Sequence, residues 1–377
     1  MSRFLSHLAL LVACGLLAAC GVRVPNPTPY LARCDAFRQP APSAPVTGVF
    51  FMTSRLPDCR RDRLDFAGIR YPELHYGVSD PDPEPRLAWD KPHSILLARA
   101  DWEATLARSL AAGDKPGRVL LYVHGYFNDF DDPLQRAAML RTLYGGQVPT
   151  VVLSWPSRGR PQSYLYDEAS LEWSQDHLDA LLLQLARMSD DITVIGHSMG
   201  GRALVRSIER LELEHPELGG KIDRIVLASP DIDRDQMMRE NGALARLLAR
   251  HPDRNVLIYA SRRDRANQLS RGIHGYSRLG SPDCRYDVAY ARWSLGDCHL
   301  TAPDSRLTFV DTSDARPDRF GVFRHADFIK SCAVRADLRT FLRGQAPPPW
   351  RQAVRRPGET LVGWRIAPEL VGTEECR

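Results

Sequence analysis

Residues 191–211 read DITVIGHSMGGRALVRSIERL, and three local patterns follow one another along them. A β-branched run, Ile192 to Ile195, comes first; Gly196-His197-Ser198-Met199-Gly200 crosses next; Ala203, Leu204, Ser207, Ile208 and Leu211 then share one helical face. This spacing predicts strand, sharp turn and helix. Glycine at both ends of G-x-S-x-G lets the backbone turn tightly enough to lift the serine clear of the sheet, with its hydroxyl exposed and its backbone strained. Ser198 is therefore a candidate nucleophile, and the alternative is a tight turn of purely structural meaning.

Outward from this stretch the same rhythm repeats. Strands are expected at 46–53, 69–78, 119–123, 150–155, 191–195, 224–228, 255–260 and 307–310, and helices at 101–112, 133–144, 164–187, 199–211 and 326–342. The run 119–123 has no polar alternation, as in a strand buried on both faces. Strands alternating with helices mean an α/β fold, a mainly parallel sheet covered on both faces, with functional loops at the strands' carboxyl ends. The sequence shows no internal repeat.

With 377 residues, 44% of them hydrophobic and 25% charged, the chain can bury a large core. Its net charge of +4 comes from 50 basic and 46 acidic residues that are interspersed, which does not suggest a nucleic-acid partner. The start of the chain reads as a targeting segment: Arg3 gives a positive end, Leu8 to Leu17 an apolar run, and Leu17-Ala18-Ala19-Cys20 looks like a bacterial lipobox. That implies a signal peptide at 1–19, lipid attachment at Cys20 and anchoring in the bacterial envelope, facing the periplasm, with the outer membrane the expected destination. An ordinary secretory peptide is the alternative. Six prolines between 21 and 45 then suggest an extended tether over 20–45, a folded domain over 46–344 and an Arg- and Pro-rich tail over 345–377.

Six cysteines remain after Cys14 and Cys20: Cys34, Cys59, Cys284, Cys298, Cys332 and Cys376. In an oxidising compartment they are expected to pair, without the sequence choosing how. Cys284 and Cys298 bracket Tyr286, Tyr290 and Trp293 in an excursion at 273–306 with no strong period. This is either an ordered loop over a site or a stapled surface loop. A zinc site from Cys284, Cys298, His274 and His299 is the lesser reading, since the spacing fits no common ligand pattern.

A serine hydroxyl near neutral pH needs a base, and the base needs an orienting acid. His325 lies after the last expected strand and before the final helix, where its side chain can swing over the strand ends; His215 and His251 each precede a proline in a hydrophilic turn. For the acid there are two places. Asp264 follows the strand at 255–260, and Asp231 and Asp233 follow the strand at 224–228. Asp264 is preferred, Asp233 is the alternative, and Asp231 reads as a loop or helix-start residue after Pro230. The amides of Met199 and Tyr126 are the candidate oxyanion donors. His124, which precedes the serine, is read as ordering its loop.

Val123-His124-Gly125-Tyr126, Leu153-Ser154-Trp155-Pro156-Ser157, Gly196-His197-Ser198-Met199-Gly200, Ala228-Ser229-Pro230-Asp231-Ile232-Asp233, Tyr259-Ala260-Ser261 with Asp264, and His325 occur in that order. Together they resemble the α/β-hydrolase superfamily, and within it the bacterial branch known as domain of unknown function nine hundred. The resemblance implies a serine hydrolase without a settled substrate, and it favours Asp264 as the acid. The expectation is a lipid-anchored envelope enzyme, needing no metal or cofactor, that cleaves a carboxylic ester or thioester of a small-molecule or lipid acyl substrate through an acyl-enzyme. An acyltransferase with the same triad, or a non-catalytic envelope lipoprotein using the fold as a binding scaffold, are the rivals. The oligomeric state is left open.

Overall fold

The computed structural model describes residues 33–59, 63–83, 91–112, 115–281, 306–316, 324–355 and 361–372. Eleven strands among them form one sheet: β1 Val49–Pro57, β2 Phe66–Asp80, β3 His93–Leu97, β4 Arg118–Val123, β5 Thr150–Ser154, β6 Asp191–His197, β7 Ile222–Ala228, β8 Asn255–Ala260, β9 Leu307–Asp311, β10 Arg351–Arg355 and β11 Leu361–Ile366. Their spatial order is β10-β11-β9-β8-β7-β6-β4-β5-β1-β2-β3. The run from β11 to β1 is parallel throughout, while β10, at one end, and β2 and β3, at the other, make antiparallel pairs. This is the mainly parallel sheet expected from the alternation, with the α/β-hydrolase architecture that the resemblance implies.

The parallel strands are apolar on both sides because both sides are covered. In β4, Val119, Leu121 and Val123 pack into one core and Leu120 and Tyr122 into the other, all with no exposure. The first core also takes up α1 Arg99–Ala112, α4 Gln175–Met188 and α5 Met199–Glu214. The second takes up α2 Asp131–Tyr144 and α11 Cys332–Leu342. Register aligns the carboxyl ends, since Val123 pairs with Gly196, His197 with Ala228, Ala228 with Tyr259 and Ala260 with Asp311. The order reverses at β4, which sits between β5 and β6, so the loops after β4 and β6 part at a crevice where such sheets bind their ligands.

Four expectations need correcting. The helix expected over 164–187 is two, α3 Tyr164–Trp173 and α4, because Ser174 between them turns its hydroxyl back onto the Ser170 carbonyl at 2.8 Å. The helix expected over 326–342 is likewise split into α10 Asp327–Lys330 and α11 by Ser331, whose backbone is extended. The chain is already part of the domain before Val46: Cys34 is disulfide-bonded to Cys59, and Gln39 N–H donates to Leu96 O at 2.9 Å. The segment after Gly344 is no mere tail, for β10 and β11 extend the sheet beside β9, and Trp350 is buried with its indole N–H on Ala333 O.

Other elements carried no clear sequence signal, namely α6 Pro216–Gly219, α7 Arg234–Met238, α8 Ala243–Arg250 and α9 Arg265–His274. Cys332 is also disulfide-bonded. Cys20, the expected pair Cys284 and Cys298, and His299 lie outside the described residues. His274, the remaining member of the possible zinc set, is engaged otherwise: Nδ1 donates to Ser270 O at 2.9 Å and Nε2 lies 3.1 Å from Glu168.

Candidate active site

Ser198 sits at the turn between β6 and α5 with φ 55° and ψ −126°, a left-handed backbone that a non-glycine residue adopts only under strain. The turn is tight enough to exclude side chains around it. A Cβ on Gly196 would lie 2.5 Å from Gly201 Cα, one on Gly200 would lie 2.4 Å from His124 O, and one on Gly125 would lie 2.6 Å from Ser198 Cβ. Both glycines of the motif, and the one after His124, are therefore needed for close approach.

His325 is joined to this turn through its carbonyl, which accepts from His197 Nε2 at 2.9 Å. Its Nδ1 donates to both carboxylate oxygens of Asp264, at 2.7 and 2.9 Å, which fixes the tautomer and leaves Nε2 with its lone pair. That Nε2 is buried and has no hydrogen-bond partner. Asp264 has no exposed surface, and Asn267 completes its bonding with a backbone N–H at 3.0 Å and a side-chain amide at 2.9 Å. Burial disfavours a charged imidazole here, yet the Asp264 carboxylate outweighs burial, and the His325 pKa is raised above the ordinary histidine value.

The other aspartates are placed differently. Asp231 is buried and accepts from Tyr164 Oη at 2.5 Å, Ser270 Oγ at 2.6 Å and Arg278 Nε at 2.6 Å. Asp233 caps α7, its carboxylate accepting from Gln236 N–H at 3.1 Å. Neither has a described contact with His325.

The loop after β4 is held from below. His124 stacks on Trp155 with ring centroids 4.6 Å apart and donates from Nδ1 to Gly125 O at 2.7 Å; burial keeps its pKa far below the usual value. Asn128 bonds Gly125 O and Tyr126 O at 2.8 and 2.7 Å. Arg55, without exposed surface, reaches Ser154 Oγ, Ser157 O and Asn128 O at 3.0, 2.8 and 3.1 Å, and burial lowers its pKa to about 10. Asp167 accepts from Ser157 Oγ and from Phe127 N–H, at 2.6 and 3.1 Å. No described hydrogen bond uses the Tyr126 N–H, and Met199, first residue of α5, has no acceptor within its helix.

Sequence reasoning missed Arg55, Asn128 and Asp167 in this role. It also missed His197, whose Nε2 donates to His325 O at 2.9 Å and whose ring packs on Phe328. His197 is buried and held neutral, burial being the main cause and His325 the next. Its place inside the motif was visible; its bond to a residue 128 positions away was not. A cavity of about 390 Å³ opens above, lined by Tyr126, Phe127, His197, His325, Arg136 and Lys330 among others.

A family model described as "Alpha/beta hydrolase of unknown function (DUF900)" matches residues 98–338, well over half of the chain. No curated protein matches the sequence. Among solved structures, the chain is similar to ESTFA in its Fe-lacking apo form, with 11% identity, 87% of this chain and 94% of that one covered, and a TM-score of 0.35. It is also similar to EstE1, a thermophilic carboxylesterase cloned from a metagenomic library, with 14% identity, 74% and 86% covered, and a TM-score of 0.32. A CIB-like hydrolase from Thermoplasma acidophilum matches with 13% identity, 72% and 89% covered, and a TM-score of 0.30.

Proposed function

From the premise that the chain belongs to the α/β-hydrolase family of unknown function DUF900, we propose that it is a serine hydrolase cleaving carboxylic esters or thioesters. The observation that carries this reading is the pair at the strand ends: Asp264 grips His325 Nδ1 at 2.7 Å and leaves Nε2 buried and unpaired, while the His325 carbonyl is bonded by His197, the residue before the strained Ser198.

In the proposed reaction Ser198 Oγ attacks the acyl carbonyl while His325 Nε2 takes its proton. Asp264 stabilises the imidazolium that forms and holds its orientation. The Met199 and Tyr126 amides donate to the oxyanion, each such donor being worth about 10² to 10³ in rate. His325 then returns the proton to the leaving alcohol or thiol, and a water repeats the sequence on the acyl-enzyme. His197 is a positioning residue, since its one described hydrogen bond is to the His325 carbonyl. No step calls on a metal or cofactor.

Ser198→Ala is expected to abolish ester turnover and labelling by a fluorophosphonate, with circular dichroism unchanged. Labelling that persists in this variant, at another residue, would overturn the assignment. A wild-type chain that neither labels nor turns over any ester would favour the binding-scaffold reading instead.

The envelope location is part of the same proposal. Diacylation of Cys20 supplies two chains, enough for stable attachment where one is marginal. Cys20→Ser should release the protein from membranes without detergent; continued detergent dependence would point to another anchor.

A further inference from the structure

Five of the eight exposed large hydrophobic side chains among the described residues belong to three neighbouring segments, two of which also line the cavity, through Phe127 and Ala266. They are Phe127, Leu165, Leu269, Ile273 and Tyr276, with 39, 64, 52, 45 and 51% exposure. Their chain neighbours touch: the Tyr126 and Tyr164 rings are 5.4 Å apart, and those of Tyr164 and His274 5.9 Å. A cluster of exposed apolar side chains on neighbouring segments is the kind of surface that marks an interaction face.

Helix α9 carries two of them, and its amphipathicity is inverted. It buries Ala266, Asn267 and Ser270 and exposes Leu269 and Ile273, which are four apart, with Tyr276 three further on. A helix that serves only its own core does the reverse. Both ends of α9 are fixed to the carboxyl edge of the sheet, Asp264 by His325 and Ser277 by the Arg234 N–H that donates to its carbonyl at 3.0 Å. The helix therefore lies across this edge, and its outer side is the surface beside the cavity. Arg160 and Arg265 are exposed there, a charge that favours anionic headgroups, while Asp129 at the cavity lies 3.8 Å from Lys91.

The first described residues are tied to the same edge. Strand β1 runs parallel to β5, so Pro57 is at the carboxyl end, and the nearby Cys59 is bonded to Cys34. Thirteen residues, 21–33, separate Cys34 from Cys20. Fully extended they reach about 50 Å at most.

We infer that the carboxyl edge is a membrane-contact face. The outer side of α9, with Phe127 and Leu165, rests on a phospholipid surface, so that the cavity opens toward the bilayer, and the Cys34–Cys59 disulfide ties the lipidated leader to that edge. The tethering half rests on the Cys20 anchor proposed above; the apolar face stands on its own.

The test uses the full chain reconstituted into vesicles of phosphatidylethanolamine and phosphatidylglycerol, with and without brominated acyl chains. Ile273→Trp places an indole on the face, and Leu213→Trp places one at the far end of α5 as a control. The emission added at position 273 should be quenched at least about twofold, as for a side chain some 5–10 Å into the headgroup boundary, and that added at 213 should not. Equal quenching at both positions, or none at 273, overturns the inference. A blue shift at 273 without quenching overturns it too, by assigning the face to a second copy or a protein partner.

Cys20→Ser in the same backgrounds separates the premise. If it floats with vesicles as the wild type does, the anchor reading fails, while the contrast between 273 and 213 still decides the face. The double variant Leu269→Gln, Ile273→Gln should lose at least about tenfold on a vesicle-embedded ester and keep its fluorophosphonate labelling. An equal loss on a dissolved short-chain ester would place both residues in the catalytic site and overturn the docking role.

Discussion

Strands β7 and β8 lie side by side, and each ends in a loop that carries aspartate to the same edge of the sheet. At the end of β7, Asp231 is locked by Tyr164, Ser270 and Arg278. At the end of β8, Asp264 caps α9 and keeps one side for His325. Both are buried, so burial does not distinguish them. The difference is the partner. Asp231 gives its carboxylate to a guanidinium and two hydroxyls, whereas Asp264 divides its carboxylate between Asn267 and His325. Asp231 thus ties Tyr164, Ser270 and Arg278 together, and Asp264 faces His325.

The comparison breaks most sharply on Asp264→Asn. Turnover should fall by up to about 10⁴ with the fold intact, because an amide stabilises the wrong tautomer and no imidazolium. Steady-state kinetics beside a melting curve checks this. Near-normal turnover in this variant, with collapse in Asp233→Asn, would move the acid to the end of β7.

Asp231→Ala should do the opposite. It leaves Arg278 buried without its carboxylate, a loss of about 3–5 kcal/mol in stability. Urea unfolding reads this, and active-site titration should show each folded molecule turning over as before. A fall in turnover per labelled serine, with stability kept, would give Asp231 a part in the reaction.

The pH profile sharpens the contrast. His325 must be neutral to act as base, and Asp264 raises its pKa, so the acid limb of kcat/KM should lie above about 6.5, the unperturbed histidine value. A raised pKa also means that protonated His325 stabilises the fold fully below that unfolded value and loses this contribution as pH rises through the folded one. Activity should therefore climb over the window in which this contribution fades. In Asp264→Asn burial is left without the carboxylate, and the limb should move to lower pH. A limb that stays put would uncouple the pair.

The smallest effect is expected at Asp233. Its cap on a helix of five residues is partly exposed, and Asp233→Ala should cost about 0.5–1 kcal/mol with turnover unchanged.

Much of the site was legible because its signals are local. Gly196, Ser198 and Gly200 declare a strand-to-turn-to-helix junction in five residues, and His325 was singled out by its position after the last expected strand. Arg55 carried no such mark: a buried arginine reads like a surface one until the carbonyls it bonds, about a hundred residues away at Ser157, are brought beside it. Helix α9 was missed for a related reason. Its apolar residues point outward and its buried face is small and polar, so no core-facing period stood out.

The sequence by itself determined the alternation of strands and helices, the strained elbow at Ser198 and the short set of residues that could serve it. These depend on spacings of two to four residues, which the chain carries wherever it is cut. Only the tertiary structure decided which aspartate meets His325, that Cys34 and Cys59 close near the carboxyl end of β1, and that β10 and β11 extend the sheet. Those are contacts between residues far apart in the chain, 61 positions in the case of Asp264 and His325. Their choice depends on strand order and register, which set what stands at the end of each strand and which groups are already satisfied there.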